Sequence, residues 1–419
     1  MRREAAVLAN LCLNFGFWFD YGTVFWPASP LYLSAPLAAL ATTALAALFF
    51  AGPALAVHRN GTGVFATVES ALGRLPAHLA RFCALWYLVD WVAGGLAAAS
   101  HWSLPAVLKR DPENMESILF TVLLLGFLAA TAHESALARF SVRLSLAVLI
   151  AAAFRVSNGA IVPGNHIDYL PRDLRRLSLA VAPMAFLASH LAISLRSTRQ
   201  VLTTAALGLA LPLWISVFLV GLLNLATLHS VYYQPSSGPN IAMALIGGVA
   251  ASARPALFLI VAITLFGPLR LGLQTLRTTL PPSLGWLGLL AVAAIAIPNS
   301  LVPVYFHNYL LSEIPATLLA CTAAVVSAGL FAPALPPRSV LPANLALLAG
   351  AVVGLHNLHE PELLLAYLTT FILALAARLS LPLAFPRSHL PSPTLPWASA
   401  TRKIQPEQRG MQHLCPRPH

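Results

Sequence analysis

Charge is what this sequence has least of. Only 9% of its 419 residues are Asp, Glu, Lys or Arg, while 58% are hydrophobic; soluble domains carry about 25% charged residues. A chain this apolar cannot present a wettable surface, so it is expected in a bilayer. Lysine is almost missing, with Lys109 and Lys403 the only two. The net charge of +11 is therefore mostly arginine, set singly or in pairs at the ends of apolar runs. That is the pattern of topology signals, not of a phosphate-tracking face, and it excludes nucleic acid as a partner. The four cysteines, Cys12, Cys83, Cys321 and Cys415, are far apart and lack metal-ligand spacing, so they act as small apolar residues. Ten-residue alternating strands are absent, which excludes a transmembrane β-barrel. CxxC, HExxH, P-loop and GxSxG-with-triad signatures are also absent, so no enzyme and no cofactor is expected. His356, His359, Glu360 and Glu362 cluster near the end of the chain; they read as a short solvated loop in preference to a metal site.

What is present is a succession of apolar stretches near bilayer-spanning length. They predict an all-α polytopic membrane protein with about twelve spans, near 5–26, 31–57, 79–100, 117–132, 144–161, 177–195, 201–228, 256–276, 284–297, 309–331, 340–355 and 363–385. The stretch 241–253 is too short to cross and is expected to lie on, or dip into, the outer face. Met1-Arg2-Arg3 precedes the first span without a cleavage motif, so that span is expected to stay as an anchor. With the N-terminus inside, the inner loops collect arginines such as Arg59, Arg74, Arg139, Arg196 and Arg338, and the outer loops far fewer. The expected home is the cytoplasmic membrane, with both termini inside. Arg172, Arg175 and Arg176 run against that rule, partly offset by Asp168 and Asp173. The Pro-, Ser- and Arg-rich segment 386–419 reads as a disordered cytoplasmic tail.

Five spans end at residue 161, a polar outer linker covers 162–176, and five more spans fill 177–332. Five is odd, so the second set enters from the opposite side, which is the topology of an inverted repeat. Two extra helices at 333–385 complete the chain. The sixth span then corresponds to the first. Both carry polar, breakable sequence, where such repeats build substrate and ion sites from interrupted helices.

In the first span, Asn14-Phe15-Gly16-Phe17-Trp18-Phe19-Asp20-Tyr21-Gly22 puts an acid between glycines at midplane depth. An ionisable group there is expensive and marks a functional site. Asp20 could bind Na⁺ or cycle a proton, and Trp18 could wall a ligand or simply pack. In the sixth span, Pro183 precedes Ser189 and a mid-span His190, which suits either a proton carrier or a hydrogen-bonding ligand contact. In the third span, Trp86 and Asp90 are i, i+4 and share a helix face, with Tyr87 and Trp91 beside them and Gly94-Gly95 following. A ring beside an acid suits a flat polar heterocycle or a cation. Arg270, behind the Gly267-Pro268 break, reads as a snorkelling residue at the cytoplasmic exit, and Glu313, before Pro315, as interfacial.

The segment Gly61-Thr62-Gly63-Val64-Phe65-Ala66-Thr67-Val68-Glu69-Ser70-Ala71-Leu72-Gly73-Arg74 resembles the second-to-third-helix loop of the amino acid–polyamine–organocation superfamily. That resemblance implies a LeuT-like fold of five plus five inverted helices. Trp86, Asp90 and Gly94-Gly95 resemble the third helix of nucleobase–cation symporters, the purine–cytosine permease group. There a Trp stacks on the base and a Gln four residues on hydrogen-bonds it, so the resemblance implies stacking by Trp86 and a polar contact from Asp90. Asp stands where that family has Gln. Of the family's sixth-helix motif only Thr198 and Arg199 agree. The expected activity is alternating-access transport of a small polar solute, a nucleobase or related heterocycle. Asp20 or His190 would couple it to H⁺ or Na⁺, and Trp18, Asp20, Trp86, Asp90, Ser189 and His190 would line the site. An amino acid or polyamine permease is the alternative, and a membrane-embedded enzyme or non-transporting scaffold the alternative of another class.

Overall fold

The structure, a computed structural model, describes residues 3–13, 35–108, 112–131, 135–156, 170–218, 255–256, 260, 263–264, 266–301, 309–331, 340–356 and 362–384. The described residues are helical almost throughout and contain no strand. In chain order the helices are α1 (Arg3–Leu13); α2 (Ala35–Leu45, a π-helical stretch Ala46–Ala51, then Gly52–Asn60); α3 (Val64–Leu72); α4 (Arg74–Leu108); α5 (Asn114–Thr131); and α6 (Ser135–Val156). Then come α7 (Leu170–Leu187, tightening to 3₁₀ over Ala188–Ser194); α8 (Thr198–Ala205, π-helical over Ala206–Ala210, and on to residue 218); α9 (Phe266–Thr279); α10 (Gly285–Leu301); α11 (Tyr309–Ala328); α12 (Val340–Gly354); and α13 (Leu363–Ala384). Each of the twelve apolar stretches contains all or part of one of these helices, and α3 is the extra one, in the segment between the second and third stretches. Six described helices are long and apolar enough to cross a bilayer: Pro36–Asn60, Arg74–Ala97, Asn114–Thr131, Leu177–Ser194, Thr198–Phe218 and Leu363–Ser380. The stretch 241–253 and the tail 386–419 lie outside the described residues.

Local chemistry explains the irregular places. Gly61 closes α2 in the left-handed conformation, φ 62°, which it adopts without a Cβ clash. Its N–H bonds the Val57 carbonyl at 3.0 Å. Gly73, φ 87°, separates α3 from α4. Between the two glycines α3 buries Val64, Phe65, Val68 and Leu72, and Arg81 lies 5.4 Å over the Phe65 ring. α7 begins at Leu170, inside the segment 162–176 read from sequence as a linker. Pro171 at its start needs no N–H partner and Asp173 in its first turn suits the positive end of the helix dipole. Each π stretch ends two residues before a proline: Ala51 before Pro53, and Ala210 before Pro212. Proline has no N–H and its ring collides with the carbonyl four residues back; a wider turn there accommodates it.

The packing sorts the helices. α4, α5, α9 and α10 pack on one another, whereas α1, α2, α7 and α8 form a second group. α6 packs on α1 and α9, and α11 packs on α4 of the first group and on α2 and α7 of the second. Residues Met1–Arg378 form one unit; of the second, Leu379–His419, only the end of α13 is described. Small residues face inward and large apolar ones outward. α12 buries Ala343, Ala346, Gly350, Ala351 and Gly354 while Leu341, Leu345, Leu348 and Val352 are exposed. That is the arrangement for a lipid solvent, where close backbone contact drives helix association. A Cβ on Gly354 would come 2.6 Å from Ala366 Cβ of α13 and 2.8 Å from the Thr317 methyl of α11. On α9, a Cβ at Gly272 would meet Val92 at 2.6 Å and the Trp91 ring at 2.9 Å.

A close approach of two backbones lies at Gly208, inside the second π stretch. A Cβ there would lie 2.9 Å from Ala5 Cα and 3.0 Å from the Ala5 carbonyl oxygen of α1. Backbone cannot step aside as a side chain can, so Gly208→Ala is expected to destabilise the protein by roughly 1–3 kcal/mol. Gly126→Ala on α5, where nothing lies within 4 Å of a new Cβ, is expected to be neutral or slightly stabilising. Thermal unfolding of the two purified variants in detergent checks the pair; equal melting temperatures would refute the close approach.

Candidate functional site

The candidate site is the place where α7 stops being an α-helix. Pro183 sits inside α7 and cannot donate to the carbonyl four residues back. Four residues further on, after Leu187, the helix narrows to 3₁₀, and at Leu195 the backbone is extended, φ −87° and ψ 138°. A helix that loosens in an apolar interior exposes backbone carbonyls that side chains must satisfy. Several do. His190 Nδ1 lies 2.9 Å from the Leu187 carbonyl oxygen, and the Ser194 hydroxyl donates to the Leu191 carbonyl at 2.8 Å. The same Ser194 hydroxyl is 3.1 Å from Glu4 of α1, so the inner segment of α7 meets the start of α1. The chain re-enters helix at Ser197, whose Oγ accepts from the Gln200 N–H at 3.3 Å, and Gln200 Oε1 accepts from the Arg196 N–H at 2.8 Å. These are N-terminal capping bonds built from Ser and Gln three residues apart.

Two polar atoms at the break are left over. Ser189 is fully buried and its Oγ has no hydrogen-bond partner; His190 Nε2 is buried and has none either. The bond to Leu187 assigns the tautomer. A carbonyl only accepts, so Nδ1 carries the hydrogen, and in the neutral ring Nε2 is then an acceptor. The break therefore presents one bare acceptor and one hydroxyl that can donate or accept. Unsatisfied buried polar groups cost about 1–3 kcal/mol each, and their retention marks strain or function.

On α4, Trp86 and Asp90 lie one turn apart. Trp86 is 38% exposed and continues an apolar row with Leu75, Leu79 and Phe82; its ring is 6.4 Å from that of Phe82. Asp90 is half-buried. Of the neighbouring aromatics, Tyr87 is buried and Trp91 packs into the notch that Gly272 leaves on α9. The pair on α4 and the pair on α7 are on different helices, and α11 packs on both. Trp18 and Asp20 lie outside the described residues, as do His359 and Glu360. Among the described residues, no group of three or more His, Cys, Asp or Glu could hold a metal ion.

Two charged residues are buried where their sequence position suggested exposure near a span end. Arg270 does not snorkel; it is 6% exposed, and its guanidinium donates to the carbonyl of Thr131, the last residue of α5. A cation at a helix C-terminus meets the negative end of the dipole and its free carbonyls. Glu313, read as interfacial, is covered by its neighbouring helices: it is 2% exposed, and neither carboxylate oxygen has a hydrogen-bond partner. A carboxylate ahead of Pro315 in an apolar run was the available signal, and its position near the end of a span masked it.

No protein-family model matches the sequence, and no curated protein does. Solved structures do match over nearly the whole chain. Mhp1, a nucleobase-cation-symport-1 family transporter in a closed conformation with bromovinylhydantoin bound, is 14% identical with a TM-score of 0.58, covering 92% of this chain and 93% of that one. Inward-facing Mhp1 is 14% identical, TM-score 0.57, with 91% of each chain covered. A substrate-bound, outward-open Na⁺-coupled sialic acid symporter is 9% identical, TM-score 0.60, covering 91% of this chain and 90% of that one. At such identities the likeness is one of fold: this chain has the LeuT-like fold expected from its sequence.

Ser189→Ala is expected to leave the melting temperature of the purified protein unchanged or raise it, because it deletes a buried hydroxyl that bonds nothing. Ser197→Ala, which removes a working cap, is expected to cost about 1 kcal/mol. Comparing the two by thermal unfolding checks the assignment; a larger loss at Ser189 would mean that its hydroxyl is structural.

Proposed function

We propose that this protein is a secondary active transporter, not an enzyme, which moves a small planar, hydrogen-bonding heterocycle of the nucleobase class across the cytoplasmic membrane. The observation that carries the reading is the pair of unpartnered polar atoms at the α7 break, Ser189 Oγ and His190 Nε2. A cyclic amide edge offers an N–H beside a C=O. The N–H suits the bare acceptor of His190 and the C=O suits a donating Ser189 hydroxyl. Trp86 supplies a ring for stacking and Asp90 a further acceptor. Mhp1, one of the structures of the same fold, binds a hydantoin, itself a cyclic amide.

The two groups of helices provide the bodies that rock against each other in alternating access. The inverted repeat of residues 1–161 and 177–332 is supported by the matched π stretches of α2 and α8, the second and seventh stretches of the sequence. Arginine placement supports both termini inside. Coupling to H⁺ or Na⁺ is assigned to Asp20 or His190, and it requires that the ion bind the two access states with different affinity.

Uptake into proteoliposomes of labelled nucleobases, hydantoins and amino acids, with Na⁺ and pH gradients imposed separately, tests the proposal. One cyclic amide is expected to accumulate under one of the gradients. Removing one neutral hydrogen bond, as in His190→Ala or Ser189→Ala, is expected to weaken its binding about 3–10-fold. Asp90→Ala is expected to remove binding at a similar folded yield. Absence of gradient-driven accumulation for every solute, or unchanged binding in all three variants, would overturn the reading.

A further inference from the structure

We propose that Glu313 is a proton-binding site of the transport cycle, a role that rests on the transporter reading above. Glu313 lies in the second turn of α11, 2% exposed, with both carboxylate oxygens unpartnered. Two turns of α11 that continue its face contribute Ala316, Thr317 and Ala320, all buried. The Thr317 hydroxyl is already spent on the Glu313 backbone carbonyl, at 2.9 Å.

Among the described residues no donor bonds this carboxylate, and a carboxylate so withdrawn from water is too costly to stay charged and takes up a proton instead. The surroundings favour a proton over a metal cation. A hard cation needs a shell of several oxygens, and no cluster of acidic or other ligating side chains gathers here among the described residues.

The charged groups of the neighbouring helices are accounted for by position. α11 packs on α2, α3, α4, α7 and α12, and on α13 through Cys321 and Ala366, with the buried Arg378 of α13 at Gly329, just past the far end of α11 from Glu313. His58 and Arg59 of α2, Glu69 of α3 and Arg74, His78 and Arg81 of α4 sit at the Gly73 end, where Gly73 approaches Val340 at the start of α12. Thr317 meets the other end of α12, at Gly354. Fifteen residues of helix, about 22 Å at 1.5 Å per residue, separate those two ends. α12 carries no charged residue. Further along, α4 carries Asp90 and His101, α7 begins with Arg172, Asp173, Arg175 and Arg176, and the α12–α13 turn holds His356 and Glu362. Glu313 has a hydrogen bond from none of them.

The position suits a coupling group. α11 touches α4 of one helix group and α2 and α7 of the other, so relative movement of the groups changes what covers Glu313. Pro315, two residues on, has no N–H and removes a helix bond at the same level, which gives this end of α11 freedom to bend. Covered, Glu313 holds its proton as a neutral acid. Uncovered to water, the O–H bond breaks and the proton passes to solvent, leaving the carboxylate.

The test needs no transported solute. Dicyclohexylcarbodiimide, which crosses membranes and modifies protonated carboxyls in apolar surroundings, is added to right-side-out membrane vesicles containing the full chain. The inner and outer pH are set separately between about 5 and about 9, a range that spans documented buried glutamates. Modification at Glu313 is read by peptide mass spectrometry, with Glu313→Gln as the blank. Modification is expected to fall when either side is made alkaline, because a cycling site meets both. Modification that responds to neither side identifies a permanently neutral structural acid and overturns the proposal. A response to one side only, or protection by Na⁺ at constant pH, overturns it as well. Failure of the solute panel with two-sided titration intact would instead count against the transported solute alone.

Discussion

Inside a hydrocarbon layer a backbone group that leaves its helix has no water to turn to, and the rest of this structure is arranged around that constraint. α7 leaves its helical ladder after Leu187, and the side chains that follow are those that can repair the damage. His190 returns to the Leu187 carbonyl, Ser194 to Leu191, and Ser197 with Gln200 restarts the ladder for α8. The repair is economical and incomplete. Each imidazole has two nitrogens, and using one on the backbone fixes the other as an acceptor with nothing to accept. A structural requirement in the backbone thus produces, two bonds away, the chemical capacity to hold a solute.

The same constraint explains the π stretches. Pro53 and Pro212 each remove an N–H from a buried helix, and in both cases the helix widens just before them. The two widened segments touch each other. That of α2 also packs on α7, and that of α8 on α1, with Gly208 bringing the backbones into contact. α7, which breaks, and α1 are therefore each carried by a helix with one weakened turn. Such turns bend at lower cost than a regular helix, and they recur at functional positions in membrane and soluble proteins alike.

Much of this was legible in the sequence because lipid makes the rules few. Apolar length located the spans, while α3, between Gly61 and Gly73, lies in a segment read as a loop. A proline followed by Ser189-His190 in mid-span marked the broken helix. The spacing of Trp86 and Asp90 put them one turn apart on α4, where the structure has them. What escaped was tertiary. Arg270 looked like an interfacial residue because it ends an apolar run, yet the last carbonyls of α5 lie beside it, and only packing brings Thr131 there. Glu313 misled for the same reason: distance from a span end measures depth along one helix and not coverage by its neighbours. Gly350 and Gly354, four residues apart, were a readable close-packing signal, and their partners on α13 follow from it. The start of α7 fell inside a segment read as a linker because its first turn is charged, although Pro171 and Asp173 are good helix openers.

Buried groups without partners destabilise a fold, and a protein that only had to stand in a membrane would gain by replacing them with apolar side chains of the same shape. Here they lie on several helices, Ser141 on α6, Thr204 and Ser216 on α8 and Asn344 on α12 among them, and three bear on the proposed cycle. Ser189 and His190 sit at the break of α7, and Glu313 sits on a helix that packs against both helix groups and against α7 itself. α11 thus lies between the helix that carries Trp86 and Asp90 and the helix that carries Ser189 and His190. A change of charge at Glu313 alters the cost of keeping α11 closed over both. On the proposed reading, binding at the break and protonation on α11 act on the same packing contact, and two equilibria that share a contact are coupled without any further machinery.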